Sequence, residues 1–570
     1  MALTETLATK LRSIHSEWAV SQTQSDIAGS SKNAIHYGNL DVWCDSAGIA
    51  DRRSLRRLDY TKLAKDLYCF GAAAICDLTP PFRIFWNSSS GYHAAADWPG
   101  LAQLFFWQGP GIAAVSSSAT LIAKIFGLRP DINALLGPAL IGSMIGQDSP
   151  IQGVQKLPLA QMATLMEGSL SFSAQPSPSR LFSTETAFID AVTSQSLSWP
   201  TAEVEVSGGF DSRLIVAALT SKSRRQHQAV TLGREDDLEV ITARNVCNIA
   251  GISQTVYDPQ IRGLTKSQLQ EAVKSAADRD DYSSNPIDRV AINLFNDQRV
   301  SMARFSGQNG EIFRGFYYPG QPLRAKPSLQ LARRLTRWRL FSNDLVDSTI
   351  FDQSWYRHAR ATAATRLQMS LLAGEGDWGQ RLDAFYLEQR MQRWCGTAIS
   401  AAINRRAILL PFFDPDVIIA ALTTSPGDKN NSRFAARMLC SLDPDLGRVP
   451  TDTGESIEGL ANGGVWNSMR TTSRLLLKAS RKIGLQIVSS NTKTFASQEI
   501  LDLVFSEKIL EHIDMQKMFM LGMLSQERVE SIVSGRERPS RSTVGFLLNL
   551  DYLLKSLGKH IDVAMAPEAA

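Results

Sequence analysis

Between residues 80 and 120 short apolar runs alternate with turn residues. FRIFWN (82–87), YHAAAD (92–97) and GIAAVSSS (111–118) are too short for helices and are bounded by Pro, Ser or Gly, which predicts β-strands. DINALLGPALIGSM (131–144) changes to helical spacing, with Asp131 near its start. SAQPSPSR (173–180) has no period and reads as a Ser/Pro linker between domains. Beyond it, STETAFIDAVTSQSL (183–197) predicts a helix opened by a capping-box-like start. A strand is expected at 203–206, a helix at 211–221 and a second strand at QAVTLG (228–233), a spacing that fits a parallel βαβ unit. DLEVITARNVCNIAG (237–251) predicts the next helix, with Gly251 as its cap. SMARFSGQNGEIFRGF (301–316) supplies another strand and a glycine-bearing turn, and from residue 328 onward the period is helical. The expected class is α/β, with domains at 1–172 and 181–450 and a helical extension at 451–570.

Composition changes this picture little. The chain has 570 residues, of which 44% are hydrophobic and 20% charged, so it is globular with room for several cores. A net charge of +4 is too mild to imply nucleic acid by itself, and no nucleic-acid partner is expected. The cysteines (44, 69, 76, 247, 395 and 440) form no CxxC pair, and no HExxH occurs. No run of about 18 apolar residues is present, so no membrane span is expected. Lys10 and Arg12 interrupt the apolar pattern at the N-terminus, a poor signal peptide. A cytoplasmic location with reduced thiols is the expectation.

The chemistry gathers in VEVSGGFDSRLIV (204–216), a polar turn between a strand and a helix. The unpaired N–H groups of a helix N-terminus favour an anion. Gly208 and Gly209 allow close backbone approach, Ser207 and Ser212 add hydroxyls, and a carboxylate at Asp211 makes sense if it holds Mg²⁺. The stretch therefore asks for a magnesium-bound polyphosphate. It is neither a Walker A loop nor GxGxxG. A plain turn with Asp211 as N-cap remains open.

The turn resembles the SGGxDS pyrophosphate loop of the ATP-pyrophosphatases, and across roughly residues 80 to 450 the motif order resembles the asparagine synthetase (glutamine-hydrolysing) family. FWNSSSGYHAAAD, GIAAVSSSATLIAKIFG and GVQKLPLAQMATL resemble segments of its glutaminase-type domain. GQNGEIFRG (307–315) resembles its second glycine-rich loop, LLPFFDPDV (409–417) its Arg-x-Pro-Phe-x-Asp segment, and KNNSR (429–433) its Lys-x-x-x-Arg spacing. The resemblance implies a degenerate Ntn-type α+β sandwich followed by an adenine-nucleotide α-hydrolase-like (PP-loop) parallel sheet. It also implies ATP and Mg²⁺ as cofactors and adenylation of a small-molecule or peptide carboxylate, attacked by ammonia or a substrate amine. Ser207, Gly208, Gly209 and Ser212 would hold pyrophosphate, with Asp211 reaching the nucleotide through the metal. Leu232, Ser306 and Gly307 would cradle the nucleotide, and Asp211 and Glu311 would hold the metal. Lys429 and Arg433 would stabilise the charge that develops at the acyl-adenylate.

Departures from the family pattern sharpen the expectation. Residue 2 is Ala2, where glutamine-using members expose a cysteine, so no glutamine hydrolysis is expected, as in β-lactam synthetase and the lasso-peptide cyclases. The second loop reads NGE where the family has an Asp–Glu pair, Gln308 stands near a position where some members carry Glu, and Arg213 follows the first loop. A macrolactam cyclase and a non-catalytic relative stay open. A tRNA-modifying enzyme is disfavoured by the lack of paired cysteines. A homodimer or biosynthetic partner proteins remain open as well. Three basic stretches each have two readings: 325–341 as a solvated face or a guide for an acidic substrate or pyrophosphate, 470–484 as a stretch packed on the core or in contact with a membrane surface, and EQRMQRW (388–394) as surface pairing of Arg390 and Arg393 with Glu388 or as arginines facing the active site, the first reading being the simpler in each case.

Overall fold

The computed structural model describes residues 18–558 apart from 23–24, 30–33, 45, 53, 177–181, 223–226, 300–301, 342–344, 453 and 463–495. Ala2 and the basic stretch 470–484 lie outside the described residues.

The N-terminal strands are β1 (Trp18–Gln22), β2 (Ser25–Gly29), β3 (Ile35–Tyr37), β4 (Leu40–Trp43), the short hairpin β5 (Ala50–Asp51) and β6 (Arg56–Arg57), β7 (Arg83–Ser88), β8 (Gly91–Ala96), β9 (Phe105–Gly109), β10 (Ile112–Ser116), β11 (Gln155–Lys156), β12 (Gln161–Met166) and β13 (Ser169–Ala174). They form two antiparallel sheets, β11-β9-β10-β1-β2 and β13-β12-β8-β7-β4-β3, packed face to face. Alternation explains the packing. Ala94 and Ala96 of β8, Ala113 and Val115 of β10, and Ala163 and Leu165 of β12 fill the space between the sheets. In β7, Phe85 joins that core, while Ile84 and Trp86 turn outward under helix Tyr60–Phe70 with Leu63 and Leu67.

The predicted helix at 131–144 is shorter in the structure, Leu136–Ile141. Pro138 has no N–H and must sit in the first turn, so the helix starts just before it. Asp131 instead caps a turn, accepting from Asn133 N and Ala134 N at 3.0 Å each.

After helix Thr184–Ser198, capped by Ser183 Oγ, the chain builds a five-stranded parallel sheet. Its strands are β14 (Glu203–Glu205), β15 (Gln228–Leu232), β16 (Gln254–Tyr257), β17 (Arg304–Phe305) and β18 (Ile408–Leu409), in the order β16-β15-β14-β17-β18. Helices Phe210–Lys222 and Leu238–Ala250 cross between the first three strands, the second ending at Gly251 in the left-handed conformation (φ 66°). The chain adds β15 and β16 on one side of β14, then β17 and β18 on the other. The strand order therefore reverses between β14 and β17, and crevices for ligands form beyond the carboxyl ends of strands at such a point.

The two parts are closely joined. Asp281 receives Ala119 N (2.6 Å) and Ser118 Oγ (2.8 Å) at the start of helix Ala119–Phe126. Arg52 meets Asp414 (3.1 Å) and Asp416. The buried helix Arg541–Leu557 packs against Ala119–Phe126, Leu136–Ile141 and Lys266–Arg279, and Asn549 Nδ2 donates to Tyr282 O (2.7 Å). Among the described residues no helix is long and apolar enough to cross a membrane.

Candidate active site

Two loops meet beyond the ends of β14 and β17. The first is the turn at 207–212, the second the segment 306–311. Their approach depends on glycine. A Cβ on Gly307 would lie 2.9 Å from Ser212 N, and one on Gly310 would lie 2.2 Å from Asp211 Cγ. Any side chain at either position would push the loops apart. Asn309 takes the left-handed conformation (φ 74°) between them and donates from Nδ2 to Phe412 O (2.8 Å), which ties the second loop to the segment after β18.

The first turn is held by its own hydroxyls. Ser207 N donates to Ser212 Oγ (3.1 Å), and Gly209 N donates to Ser207 Oγ (3.3 Å). Helix Phe210–Lys222 begins at this turn, and the first N–H groups of a helix have no intrahelical partners. Arg213 is fully buried and works structurally. Its guanidinium donates to Val449 O (2.5 Å), Pro450 O (2.8 Å) and Gly208 O (3.0 Å), drawing the segment 449–452 over the turn. Asp452 lands on Gly208: its amide donates to Gly208 O (3.2 Å), and a Cβ on Gly208 would lie 2.6 Å from Asp452 Cβ.

The result is a cleft of about 510 Å³. Its floor is Ser207, Gly209, Asp211 and Ser212 from the first turn and Ser306, Gly307, Gln308, Asn309 and Glu311 from the second loop. Thr451, Asp452 and Glu455 form one rim, while Arg390, Met391, Trp394 and Cys395 form the opposite wall. That wall belongs to a π-helical run, Tyr386–Cys395. The wider turn of i→i+5 bonding stacks residues four or five apart, and such segments gather at functional sites. Here it aligns Arg390 and Met391 with Trp394 and Cys395. Arg390 lies over Phe316 (4.5 Å to the ring centroid) and Trp394 (4.7 Å). The Cys395 thiol, buried and bonded to Gln308 Oε1 (2.9 Å), is pushed up to about 12, which leaves it protonated and a poor nucleophile.

Four side chains meet at the centre. Arg314 donates to Asp211 Oδ2 (2.7 Å) and lies 3.8 Å from Glu311 Oε1. Tyr386 OH donates to Glu311 Oε2 (2.9 Å). Burial pushes the Asp211 carboxyl up to about 7, against the opposing pull of Arg314. Asp211 Oδ1 is buried without a hydrogen-bond partner.

The predicted residues divide into two groups. Ser207, Gly209, Asp211, Ser212, Ser306, Gly307 and Glu311 come together in the cleft, whereas Gly208, Leu232, Lys429 and Arg433 do not line it. Gly208 is covered by Asp452. Leu232 is half-buried at the end of β15. Lys429 corrects the sequence reading most. It is fully buried, its Nζ pairing with Asp383 and donating to Ala421 O (2.9 Å), and Tyr318 OH closes the group by donating to Asp383 Oδ2 (2.6 Å). An ammonium with those partners neutralises a buried carboxylate rather than a ligand. Arg433 is half-buried at the start of helix Arg433–Leu442.

The reading of 388–394 also changes. Arg390 faces the cleft, Arg393 is buried and donates to Asp148 O (2.5 Å) and Gln103 Oε1 (3.2 Å), and neither pairs with Glu388 within ion-pair distance. Arg314, Tyr386, Trp394, Asp452 and Glu455 were not anticipated. The one sequence signal for Arg314 is an arginine inside the glycine-rich stretch GEIFRGF. In 325–341, Arg333, Arg334 and Arg337 are exposed, as a solvated face requires, while Arg339 turns in over Phe316 (5.3 Å). A larger groove of about 990 Å³ lies along the Arg541–Leu557 helix. Lys274 and Lys555 in its lining pair with Asp278 (3.6 Å) and Asp551 (2.7 Å), and no feature there matches the two-loop crevice.

The segment from the cap at Ser183 through the first turn of the helix after Lys429, residues 183–436, matches the asparagine synthase family model. This part of the chain is similar to that family. Both loops and the π-helical wall fall inside it, and the 449–455 rim follows it. No curated protein matches the chain. Among solved structures, the glutamine phosphoribosylpyrophosphate amidotransferase from B. subtilis complexed with ADP and GMP aligns at 11% identity over 45% of this chain and 62% of that one, with a TM-score of 0.19. A structure titled as the allosteric regulatory enzyme of purine biosynthesis aligns at 11% identity over the same shares, with a TM-score of 0.21. The chain thus spans less than two thirds of either structure.

Proposed function

We propose that the chain is an ATP-dependent amide-forming ligase. ATP enters the cleft of the asparagine synthase domain with its phosphates against the 207–212 turn. A carboxylate, of a small molecule or a peptide, takes the AMP, and ammonia or a substrate amine then displaces it. The observation that carries this reading is the two-loop crevice at the reversal of strand order, lined by a serine- and glycine-bearing helix N-terminus within that domain. Ser207 and the first-turn amides would bind pyrophosphate. Arg314 and Arg390 supply the positive charge of the cleft. Arg390, held between Phe316 and Trp394, is the cation this reading assigns to the carboxylate substrate or to the charge that develops on the adenylate.

Magnesium, which the family resemblance implies, meets a donor set that does not suit it. Mg²⁺ demands near-octahedral oxygen ligation. Asp211 Oδ2 already accepts from Arg314, Glu311 Oε2 accepts from Tyr386, and the guanidinium lies beside both carboxylates. No catalytic step is therefore assigned to a metal held by Asp211 and Glu311.

The test is pyrophosphate release from ATP over a panel of carboxylates with ammonia present. Release that needs both ATP and a carboxylate supports the proposal. A chain that binds ATP and never releases pyrophosphate is a non-catalytic relative, a reading favoured only by the altered 306–311 loop.

A further inference from the structure

We propose that Arg314 is the resident cation of this cleft, so that the site takes a polyphosphate without a divalent ion bridging Asp211 and Glu311. The inference rests on the reading of the cleft as a phosphate site and deepens it.

Three observations point the same way. The guanidinium occupies the space between the two acidic side chains, bonded to Asp211 at 2.7 Å and 3.8 Å from Glu311. The acidic pair is crowded from its other sides: Tyr386 OH holds Glu311 Oε2, and Gly310 packs so closely on Asp211 that a Cβ would overlap the carboxyl, with Asp211 Oδ1 left buried and without a hydrogen-bond partner. Finally, Arg314 is fixed at its own end. It lies over the Phe210 ring (5.5 Å), follows the short 3₁₀ turn Gly310–Phe313, and lines the cleft while only a quarter of its side chain is exposed. A guanidinium is always charged and presents five donors in a planar fork, so one edge can hold a carboxylate while another faces a phosphate. Among the described residues no group of three or more His, Cys, Asp or Glu is placed to hold a metal ion. A metal between Asp211 and Glu311 would have to displace a charge that is covalently part of the chain.

The test uses the full chain, Mn²⁺ as the metal probe, and ATP and inorganic pyrophosphate as the phosphate probes. Mn²⁺ binding is read by electron paramagnetic resonance with no nucleotide present. Wild type should show no Mn²⁺ site that Asp211→Asn removes, while Arg314→Ala should gain one at least about tenfold tighter than any in wild type. A Mn²⁺ site in wild type that Asp211→Asn abolishes overturns the inference, whatever the nucleotide does. ATP and pyrophosphate binding is read by calorimetry in EDTA and again with Mg²⁺. Comparable affinity in both conditions, with a loss of at least about tenfold in EDTA for Arg314→Ala and retention in Arg314→Lys, supports it. Binding that requires Mg²⁺ in wild type overturns it and leaves the ligase reading intact. No binding of either probe in either condition overturns the ligase reading, and the Mn²⁺ measurement alone then decides for or against the resident cation. Thermal melts of each variant check that it is folded.

Discussion

Asp383 and Asp211 make a matched pair. Each is a buried carboxylate facing one cation, Lys429 for Asp383 and Arg314 for Asp211, and each has a tyrosine close by, Tyr318 on Asp383 itself and Tyr386 on Glu311 beside Asp211. They differ in access. Lys429 is completely enclosed and its ammonium is held by Asp383 and Ala421 O, whereas Arg314 and Asp211 line a cleft. The same chemistry is thus a sealed structural joint in one place and a candidate binding device in the other. Residue type does not separate the two roles. The way neighbouring elements close over the pair does.

The comparison is broken most forcefully at Lys429. Lys429→Met strands the Asp383 carboxylate in an enclosed site and should cost about 3–5 kcal/mol in urea unfolding. Adding Asp383→Leu should recover much of that loss, and ATP affinity should be unchanged in any variant that remains folded. Lost turnover at unchanged stability would place Lys429 at the chemistry after all. Arg314→Ala should cost less, about 1.5–3 kcal/mol, because the cleft lets water reach the exposed carboxylate. Its effect should appear in phosphate binding.

A third contrast is in pH. Burial holds the Asp211 carboxyl near 7 in the folded chain, well above its ordinary value near 3.8. Between those values the folded state keeps a proton that the unfolded state has released, so this site's contribution to stability is full below about 3.8 and is lost as pH rises to about 7. Asp211→Asn has no such titration. Its melting temperature relative to wild type should therefore rise between pH 4 and pH 7 and then level off, as scanning calorimetry would show. An offset that is flat with pH would mean that Asp211 is not buried in this way. The smallest effect is expected at Arg390, whose contacts are aromatic faces. Arg390→Gln should cost about 0.5–1 kcal/mol in stability and act mainly on substrate affinity.

How far the sequence carried depended on the range of the forces involved. Strand–turn–helix order around SGGFDS and the parallel βαβ unit were legible because local periodicity and glycine placement set them. The capping of the 184–198 helix and the Gly251 end of the 238–250 helix were legible for the same reason. The crevice between the 207–212 and 306–311 loops followed from those elements. What was not legible came from contacts between distant segments. Arg213 draws 449–452 onto Gly208, a hook spanning more than two hundred positions that no local pattern announces. Asp383 lies on a helix far from Lys429 in sequence, so the lysine's enclosure could not be inferred from KNNSR. For Arg390 the sequence left surface pairing with Glu388, the simpler account, beside a place facing the active site. The π-helical turn carries it onto the cleft, the second of those readings. Pro138 is a local signal against a long 131–144 helix, and the helix starts just before it.

The most direct measurement addresses the turn itself. Gly209 opens onto the cleft without a positive φ, and a Cβ there would meet only Ser207 Oγ at 3.4 Å. Gly209→Ala should therefore fold as wild type while placing a methyl group where a phosphate must approach the backbone. Calorimetric titration with ATP should show affinity lowered by at least about tenfold at an unchanged melting temperature. Wild-type ATP affinity in a folded Gly209→Ala chain would contradict the placement of the nucleotide's phosphates on the 207–212 turn.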